Sequence, residues 1–367
     1  MTALTDIILP HKERFTLNNA GAVSTVSRDL ASLGSHPHEF RIFGTSVDTP
    51  LLPETFHGLI AKSSLFRSQT KQFVTAYLSF LSGVETQPDL IEVHGRLEVA
   101  KWIAEARPDI PVCLYLHNDP RSMKGGKTPQ ERAILADRLS GVISVSHYIE
   151  NCFFDGIDAK RETLPHLVNW LGVNRTLTSK PQRKPYILMA GRMVPEKGFY
   201  EAGQALVNIL PHYPDWSLKL AGGKSFASGA LSSFEKQLHK LLSPLGKQAE
   251  LLGHIPVSEV RRLQQEAEIC AVPSLWQEPG GTAVLEAMAA GSALITTNRG
   301  GLPEVAEGRA IILSDVSVTG FEAAFVDLIS DDKARKALQQ KVWDDYPFSG
   351  QIMADKAAQF RLTLIGK

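Results

Sequence analysis

Short apolar segments alternate with longer amphipathic segments along nearly the whole of the 367-residue chain. Strands of a parallel sheet are buried on both faces and read as short apolar runs, while the covering helices carry apolar residues at helical spacing. The alternation occurs twice, before and after the polar stretch 172–185, which contains prolines and has no apolar period. The pattern predicts an α/β protein with two Rossmann-like domains.

The predicted elements follow this alternation in chain order. In the first half we predict helices at 22–33, 97–106 and 129–138, and strands at 7–9, 39–42, 90–93, 112–116 and 141–145. In the second half we predict strands at 186–190, 217–221, 249–252, 269–272, 293–296 and 310–313, with helices between them. The predicted domains are residues 1–172 and 186–348, with a linker at 173–185 and a final amphipathic helix within 349–367. Two such domains joined once leave a cleft, which is the default active site.

The composition argues against several classes of protein. Lys+Arg and Asp+Glu both number 39, so the formal net charge is zero, which is not typical of a nucleic-acid binder that works by bulk charge. Three scattered cysteines favour a reducing compartment. Residues 1–15 lack a basic segment ahead of an apolar one, and no run of about 18 apolar residues occurs, so we expect neither a signal peptide nor a membrane span. These features predict a cytoplasmic protein.

The segment 273–297, PSLWQEPGGTAVLEAMAAGSALITT, contains the most informative pattern. Glu278 and Glu286 lie eight positions apart, separated by a Pro-Gly-Gly turn and the start of an apolar helix at about Thr282. Free backbone N–H groups at a helix N-terminus form an anion site that fits a diphosphate. Glu278 would repel phosphate and should face sugar hydroxyls, whereas Glu286 could accept two hydrogen bonds from a ribose diol. The alternative is an ordinary strand-turn-helix unit with two surface glutamates.

A second candidate site follows the strand at 186–190, in Gly191-Arg192-Met193-Val194-Pro195-Glu196-Lys197-Gly198. Gly191 allows a tight turn and a close approach of the backbone. Arg192 and Lys197 are cations near a helix start, where the macrodipole disfavours them, so their placement indicates an anionic ligand such as a diphosphate. A solvated loop with ordinary surface charges is the alternative.

Together, Glu-x7-Glu and the GR-x3-EKG string resemble the signature of glycosyltransferase family 4, the retaining transferases with the GT-B fold. The resemblance implies an N-terminal acceptor domain, a C-terminal domain for a nucleoside diphosphate sugar, and a last helix that returns to the first domain. It implies that Arg192, Lys197 and the helix N-terminus neutralise the diphosphate without a metal or other cofactor. The implied donor-binding residues are Gly21, Gly191, Arg192, Lys197, His254, Ile255, Glu278, Gly280, Gly281, Thr282, Ala283 and Glu286, with the loop at His254 contacting the nucleobase through its backbone.

In the first domain, His117 follows the strand at 112–116 and matches the family's histidine beside the donor sugar and the attacking acceptor. A histidine at a strand end can donate a hydrogen bond there; the alternative is a structural histidine before a turn. His94 also ends a strand and is more typical of a structural residue. Gly21 opens the first helix, with Asn19 as a cap, but the family's second glycine is replaced here by Ala20.

Two basic regions could meet an anionic acceptor. Arg121, Lys124 and Lys127 lie in a glycine-containing loop just after His117, which could equally be a disordered surface loop. The stretch 55–84 has basic and apolar residues in a pattern typical of an amphipathic helix on an anionic membrane or of a core helix with a solvated basic face.

The resemblance predicts a retaining hexosyltransferase that uses a UDP- or GDP-sugar and a glycan or lipid-linked acceptor. The expected catalytic residues are His117, Glu278, Arg192 and Lys197. The segments LHNDPRSMKGGKTPQER and SVSHYIENCF resemble bacterial lipopolysaccharide-core and envelope-glycan transferases, which implies peripheral association with the inner membrane face. The alternatives are a sugar-nucleotide epimerase, a phosphorylase and a non-catalytic carbohydrate-binding module of the same fold. No nucleic-acid partner is expected.

Overall fold

The computed structural model describes residues 3–17, 21–35, 38–60, 68–223 and 230–366. The chain forms two compact units. Unit 1 comprises Met1–Gly172 together with Ser349–Lys367, and unit 2 comprises Val173–Phe348. Each unit contains one open parallel sheet with helices between its strands, so the predicted α/β fold class with two Rossmann-like domains is confirmed.

Unit 1 is built on a seven-stranded sheet with the strand order β3-β2-β1-β4-β5-β6-β7, in which every pairing is parallel. Its strands are β1 (Ala3–Ile8), β2 (His38–Thr45), β3 (Phe56–Leu59), β4 (Leu90–His94), β5 (Val112–Leu116), β6 (Gly141–Ser144) and β7 (His166–Val168). Its helices are α1 (Ala22–Ser32), α2 (Gln69–Gly83), α3 (Leu97–Ala106), α4 (Pro129–Ala136), α5 (His147–Phe154), α6 (Asp158–Thr163) and α14 (Gly350–Leu364). Every residue of β4 and β5 is buried, which explains the continuous apolar run of β5, while β4 also buries Glu92 and His94.

Unit 2 is built on a six-stranded parallel sheet with the order β10-β9-β8-β11-β12-β13. Its strands are β8 (Lys184–Ala190), β9 (Ser217–Ala221), β10 (Ala249–Gly253), β11 (Ala267–Val272), β12 (Ala293–Thr297) and β13 (Ile311–Leu313). Its helices are α7 (Phe199–Ile209), α8 (Ser233–Leu242), α9 (Val257–Glu266), α10 (Thr282–Ala289), α11 (Leu302–Ala306), α12 (Val318–Ser330) and α13 (Asp332–Asp344). The core packs α7 and α12 on the sheet through Leu206, Phe321 and Phe325, all fully buried.

The last helix, α14, packs on α1 within unit 1. A Cβ atom at Gly172 would lie 2.6 Å from the carbonyl oxygen of Ser349, so these two segments of unit 1 run in close contact. Asn169 donates a hydrogen bond of 3.0 Å to the carbonyl of Met353. Arg361, fully buried, donates two hydrogen bonds to Glu92 at the heart of the sheet. The tail is therefore an integral part of unit 1.

The polar stretch 173–185, which follows Gly172, is tied firmly into unit 2. Arg175 donates to the carbonyls of Ala289 and Trp343 at 3.0 and 2.7 Å, and its guanidinium lies over the Trp343 ring. Arg183 donates to the carbonyl of Ala267 at 2.8 Å. These cations satisfy carbonyl groups at the ends of secondary-structure elements, including the C-terminus of α10. The arginines that make the stretch polar in sequence are thus structural.

Two strands were not predicted, and one prediction is wrong. The sequence pattern of 55–84 predicts one amphipathic helix, but Phe56–Leu59 forms the edge strand β3 against β2, and the helix α2 begins only at Gln69. Hydrogen bonds from pairing with β2 decide the conformation of this short segment. The strand β7 was also missed, because three residues give too short a pattern. Lys62 and Arg67 lie outside the described residues.

Within the described ranges, no helix is long and apolar enough to cross a membrane.

Candidate functional site

The candidate site of unit 2 lies where its strand order reverses. Chain order runs outward from β8 through β9 to β10 on one side and from β11 through β12 to β13 on the other, so β8 and β11 flank the topological switch point. Ligands of open α/β sheets bind at the carboxyl ends of such strands. The loop that follows β8 contains Arg192 and Lys197, and the loop that follows β11 contains Glu278. The fold therefore brings together two motifs that are about 80 residues apart.

Lys197, Glu278 and Ser274 form a polar cluster at this point. One carboxylate oxygen of Glu278, Oε1, accepts hydrogen bonds from Lys197 Nζ at 2.5 Å and from Ser274 Oγ at 2.7 Å. Glu278 Oε2 makes no hydrogen bond to any described residue. The side chains of Lys197 and Glu278 are 25% and 13% exposed, so the pair is largely shielded yet reachable. The sequence predicted Lys197 and Glu278 but gave Ser274 no part, although its place four residues before Glu278 is the available signal.

The two loops are joined through the carbonyl of Glu196. This oxygen accepts hydrogen bonds from the backbone N–H groups of Leu275 and Trp276, at 2.9 and 3.1 Å, and from Ser274 Oγ at 3.3 Å. Gly198, with φ +69°, allows the close approach, because a Cβ atom there would lie 1.9 Å from the carbonyl oxygen of Pro273. The position of Lys197 is thus fixed by backbone contacts on both sides.

Gly300 and Gly301, which follow β12, hold the backbone at Glu278 in place. Gly301 N–H donates to the Glu278 carbonyl at 2.7 Å, and Gly300 N–H donates to the side chain of Gln277 at 2.6 Å. Gly300 has φ +59°, and a Cβ atom there would lie 2.3 Å from the Glu278 carbonyl oxygen. The segment that starts at Arg299 therefore acts on the site by holding the backbone of Glu278.

The helix α10 begins at Thr282, as predicted, and leaves its first N–H groups without a side-chain cap. Its N-cap residue is Gly281, which has φ +64°, and its first turn contains no acidic residue. Gly280 and Gly281 are buried, while Thr282 is exposed and Ala283 is half-buried. Uncapped N–H groups at a helix start favour an anion.

Glu286 lies one turn further along α10, half-buried against α9 in a small cavity of about 20 Å³ lined in part by Arg261 and Gln264. Burial raises the pKa of this carboxyl, while the charge of Arg261 and a hydrogen bond from Gln264 lower it, and the net shift is upward. Both partners come from α9, and the sequence pattern gave no sign of them.

The remaining predicted donor residues lie at the ends of neighbouring strands. Gly191 follows β8 and Gly222 follows β9, where a Cβ atom at Gly222 would lie 1.8 Å from the Gly191 carbonyl oxygen. The side chain of Arg192 is exposed. His254 and Ile255 follow β10 and are exposed and half-buried, respectively. Gly223, next in the chain after Gly222, is also described, while residues 224–229 lie outside the described residues.

In unit 1, His117 follows β5 and is only 8% exposed. Its Nε2 lies 2.9 Å from Nδ1 of His94, and Nε2 of His94 lies 2.9 Å from a carboxylate oxygen of Glu92. Burial lowers the pKa of His117 well below its ordinary value. Sequence reasoning missed Glu92, and it missed Arg361 as its partner, because that contact spans 269 positions.

The helix start at Gly21 differs from the prediction. The N-cap of α1 is Gly21, while Asn19, the predicted cap, lies outside the described residues. The carboxylate of Glu13 accepts hydrogen bonds from the N–H and hydroxyl of Ser24 in the first turn of α1. A Cβ atom at Gly21 would lie 2.4 Å from Glu13 Oε1. This helix N-terminus already holds a carboxylate of its own unit.

The basic loop after His117 is ordered by acidic neighbours. Arg121 forms ion pairs with Asp119 at 2.9 Å and Asp155 at 3.1 Å, which raise its pKa. Lys124 lies 3.8 Å from Glu98. Lys127 is exposed. The alternative of a disordered loop is therefore wrong, and the charge that Arg121 offers an acceptor is largely balanced.

Across the part of the chain that the structure describes, no group of three or more His, Cys, Asp or Glu side chains is arranged to hold a metal ion.

Replacement of Gly198 by alanine tests the contact between the loops. Gly198→Ala should lower the free energy of unfolding by about 3 kcal/mol or more, because it adds a backbone clash to left-handed strain. Gly308→Ala is a matched control: Gly308 also has φ +69°, but a Cβ atom there would meet only the flexible end of Lys341, at 3.4 Å. The control should lose about 1–2 kcal/mol in denaturant unfolding. Equal losses in the two variants would refute the importance of this contact.

Comparisons with known proteins bear on unit 2 most directly. Residues 174–342 match the family described as "Glycosyl transferases group 1". The chain is 30% identical to YtcC of Bacillus subtilis (strain 168) over 233 residues, which are 59% of this chain and 57% of YtcC. The match thus spans little more than half the length of that relative. Spore coat protein SA of the same organism is 29% identical over 306 residues, 78% of each chain.

Solved structures show the same fold over nearly the entire chain. HepE from Anabaena in complex with UDP superimposes with a TM-score of 0.74 at 16% identity, over 98% of this chain and 99% of HepE. The chain therefore has the GT-B fold, and its residues 174–342 match the group 1 glycosyl transferase family.

Proposed function

We propose that this protein is a retaining glycosyltransferase of family 4 that moves a hexose-type sugar from a UDP- or GDP-sugar to a glycan or lipid-linked acceptor. The observation that carries the proposal is the cluster of Lys197, Glu278 and Ser274 beside the uncapped N-terminus of α10. The cluster offers a cation, a set of N–H donors and a carboxylate acceptor within one strand-end site. In a nucleoside diphosphate sugar, the phosphates need the cation and the N–H donors, and the hydroxyls need the carboxylate acceptor. HepE, with the same fold, binds UDP.

The cations and the helix start would stabilise the departing diphosphate. Lys197 has three N–H donors, of which Glu278 takes one, so the ammonium can keep this ion pair and still donate to a phosphate oxygen. Arg192 is exposed and can turn its planar fork toward the same anion. The N–H groups from Gly280 to Ala283 add fixed dipoles. Charge that develops on the leaving diphosphate is thereby stabilised by groups already in place, with no need of a metal.

Glu278 would orient the sugar. Its Oε1 is occupied by Lys197 and Ser274, so Oε2 is the atom that would accept a sugar hydroxyl. The bonds to Lys197 and Ser274 hold the carboxylate in place and leave one acceptor atom, Oε2, for the ligand. Such a held acceptor discriminates among sugars by the direction of a hydroxyl, because an unpaired buried polar group is costly.

Retention of configuration rests on the family resemblance. The acceptor hydroxyl oxygen would attack the anomeric carbon on the face that the diphosphate leaves, and its proton would pass to the departing phosphate oxygen. The bond between the anomeric carbon and the phosphate oxygen breaks as the new glycosidic bond forms. In this proposal Glu278, held by Lys197 and Ser274, orients the sugar and forms no covalent intermediate.

The pathway that fits the resemblance is the synthesis of lipopolysaccharide or another bacterial envelope glycan, on the cytoplasmic side and in peripheral contact with the inner membrane face. Attachment of sugar to an acceptor would separate a transferase from an epimerase, which releases free sugar or an altered sugar nucleotide. Turnover of any sugar nucleotide would separate both enzymes from a binding module.

Glu278→Gln should lower the turnover number about a hundredfold while nucleotide affinity changes little, because the amide misorients the sugar and disturbs the ion pair with Lys197. The measurement is donor consumption and product formation with a panel of sugar nucleotides and acceptor glycans. Glu307→Gln, an exposed position in the same unit, is the control and should keep full activity. Undiminished turnover in Glu278→Gln would refute the role given to this carboxylate.

Acid should weaken nucleotide binding through Glu286. The pKa of this carboxyl is raised by burial, and its ionised form is the stronger acceptor of ribose hydroxyls. As the pH falls through the raised pKa, the carboxyl gains a proton, so affinity should fall at a higher pH than an ordinary glutamate would cause. Calorimetric titration with the nucleotide, at pH values from neutral to acid, measures this change in affinity. Protonation of the nucleotide itself affects all variants alike, so a comparison between variants isolates the effect of Glu286.

The variant Glu286→Ala is the reference for that titration. It should bind the nucleoside diphosphate more weakly at neutral pH by about 2–4 kcal/mol. Its affinity should also lack the part of the fall at acid pH that protonation of Glu286 causes. An equal fall in affinity at acid pH in both proteins would contradict contact between Glu286 and the ribose.

A further inference from the structure

A line of buried polar side chains runs through unit 1 from α14 to the end of β5. Arg361 donates to both carboxylate oxygens of Glu92, at 2.8 and 2.7 Å. Glu92 Oε1 lies 2.9 Å from Nε2 of His94, and Nδ1 of His94 lies 2.9 Å from Nε2 of His117. Arg361, Glu92 and His94 are fully buried, and only His117 reaches the surface, with 8% exposed.

The contact with Arg361 fixes the charge of Glu92. Burial alone would raise its pKa, but the charge of Arg361 and the hydrogen bonds from His94 and Arg361 bring it well below its usual range. Glu92 is therefore a carboxylate and can only accept hydrogen bonds. The bond at His94 Nε2 must then be donated by the imidazole, so His94 has a proton on Nε2.

The charge of His94 decides which ring donates in its contact with His117. Arg361 and Glu92 balance each other, and a further proton on His94 would leave a net positive charge buried without a second carboxylate to pair it. Such an uncompensated buried charge is unfavourable. His94 is thus neutral, and its Nδ1 is an acceptor. The hydroxyl of Ser27, 3.4 Å from the same atom, can also donate to it.

The contact with His94 determines which ring nitrogen of His117 has a proton. Because His94 Nδ1 accepts, His117 must have its proton on Nε2 and donate it inward. The other ring nitrogen, Nδ1, then has a lone pair and makes no hydrogen bond to a described residue. Tyr115 stacks on both imidazoles with centroid distances of 4.8 Å, and Asn169 donates to its hydroxyl at 3.2 Å. The rings are therefore held in place.

We propose that Glu92 and His94 are positioning residues that hold His117 as a neutral imidazole whose Nδ1 accepts a hydrogen bond from a sugar hydroxyl. The ligand half of this inference rests on the proposed function. It reverses the direction expected from the sequence, where a histidine at a strand end is expected to donate. An outward lone pair would repel a phosphate oxygen, so the partner of His117 is a hydroxyl of the sugar or of the acceptor and not the diphosphate. Arg361 gives the final helix a part in this arrangement, because it keeps Glu92 ionised.

Nitrogen-15 NMR of the histidine rings in the full chain tests the inference without any assay of activity. His117→Asn removes one set of ring signals and so assigns them. We expect the wild-type protein at neutral pH to show His117 protonated on Nε2 and unprotonated on Nδ1. A proton on Nδ1, or on both nitrogens, would overturn the proposal.

Glu92→Gln tests the link to His94. A side-chain amide can donate as well as accept, so His94 and His117 should lose their single protonation pattern, and turnover should fall about tenfold to a hundredfold. Glu105→Gln, which alters an exposed ion pair with Arg138 in the same unit, should change neither. An unaltered His117 spectrum in Glu92→Gln would also overturn the proposal, and the wild-type spectrum decides the matter if the variant does not fold. The expected wild-type pattern without turnover of any sugar nucleotide would refute the proposed function and support the assignment of His117.

Discussion

The carbonyl oxygen of Glu196 is the point on which the site of unit 2 depends. It accepts hydrogen bonds from Leu275, Trp276 and Ser274, and so fastens the loop after β8 to the loop after β11. The contact requires glycine at position 198, because the backbone of Pro273 occupies the space that a side chain would need. Lys197, next in the chain to Glu196, is thereby set against Glu278. A single backbone contact at the switch point thus brings a cation and a carboxylate within hydrogen-bonding distance.

Unit 1 is organised around a buried charge instead. Arg361 and Glu92 are wholly removed from solvent, and two hydrogen bonds join the guanidinium to the carboxylate, so each charge balances the other. Removal of one partner would leave an uncompensated charge in the core. The same carboxylate orders His94 and, through it, His117. The last helix is therefore coupled to the strand end where the sequence placed a functional histidine.

The sequence predicted the parts of this protein that are local. The strand and helix alternation predicted the fold class. The Glu-x7-Glu and GR-x3-EKG segments, whose glycines, charges and helix start are close in sequence, singled out Glu278 and Lys197, which the fold brings into contact. The sequence could not predict the partnership of Glu92 and Arg361, which are 269 positions apart and follow no periodic pattern. It also gave no sign that Arg175 and Arg183 satisfy buried carbonyl groups, because arginines in a polar stretch resemble solvated surface charges. The short edge strand β3 was missed because its pairing with β2 decides its conformation.

The claim that unit 2 holds a nucleoside diphosphate through protein groups alone is tested most directly by thermal unfolding in the presence of EDTA. The ligands are UDP, GDP, ADP and CMP with their common sugar conjugates, and Lys197→Met is the comparison variant. A ligand that binds only the native state raises the midpoint by mass action. We expect a clear rise with one nucleoside diphosphate and its sugar conjugate, and a much smaller rise in Lys197→Met. No rise with any member of the panel, or equal rises in both proteins, would contradict a diphosphate site built on Lys197 and the start of α10.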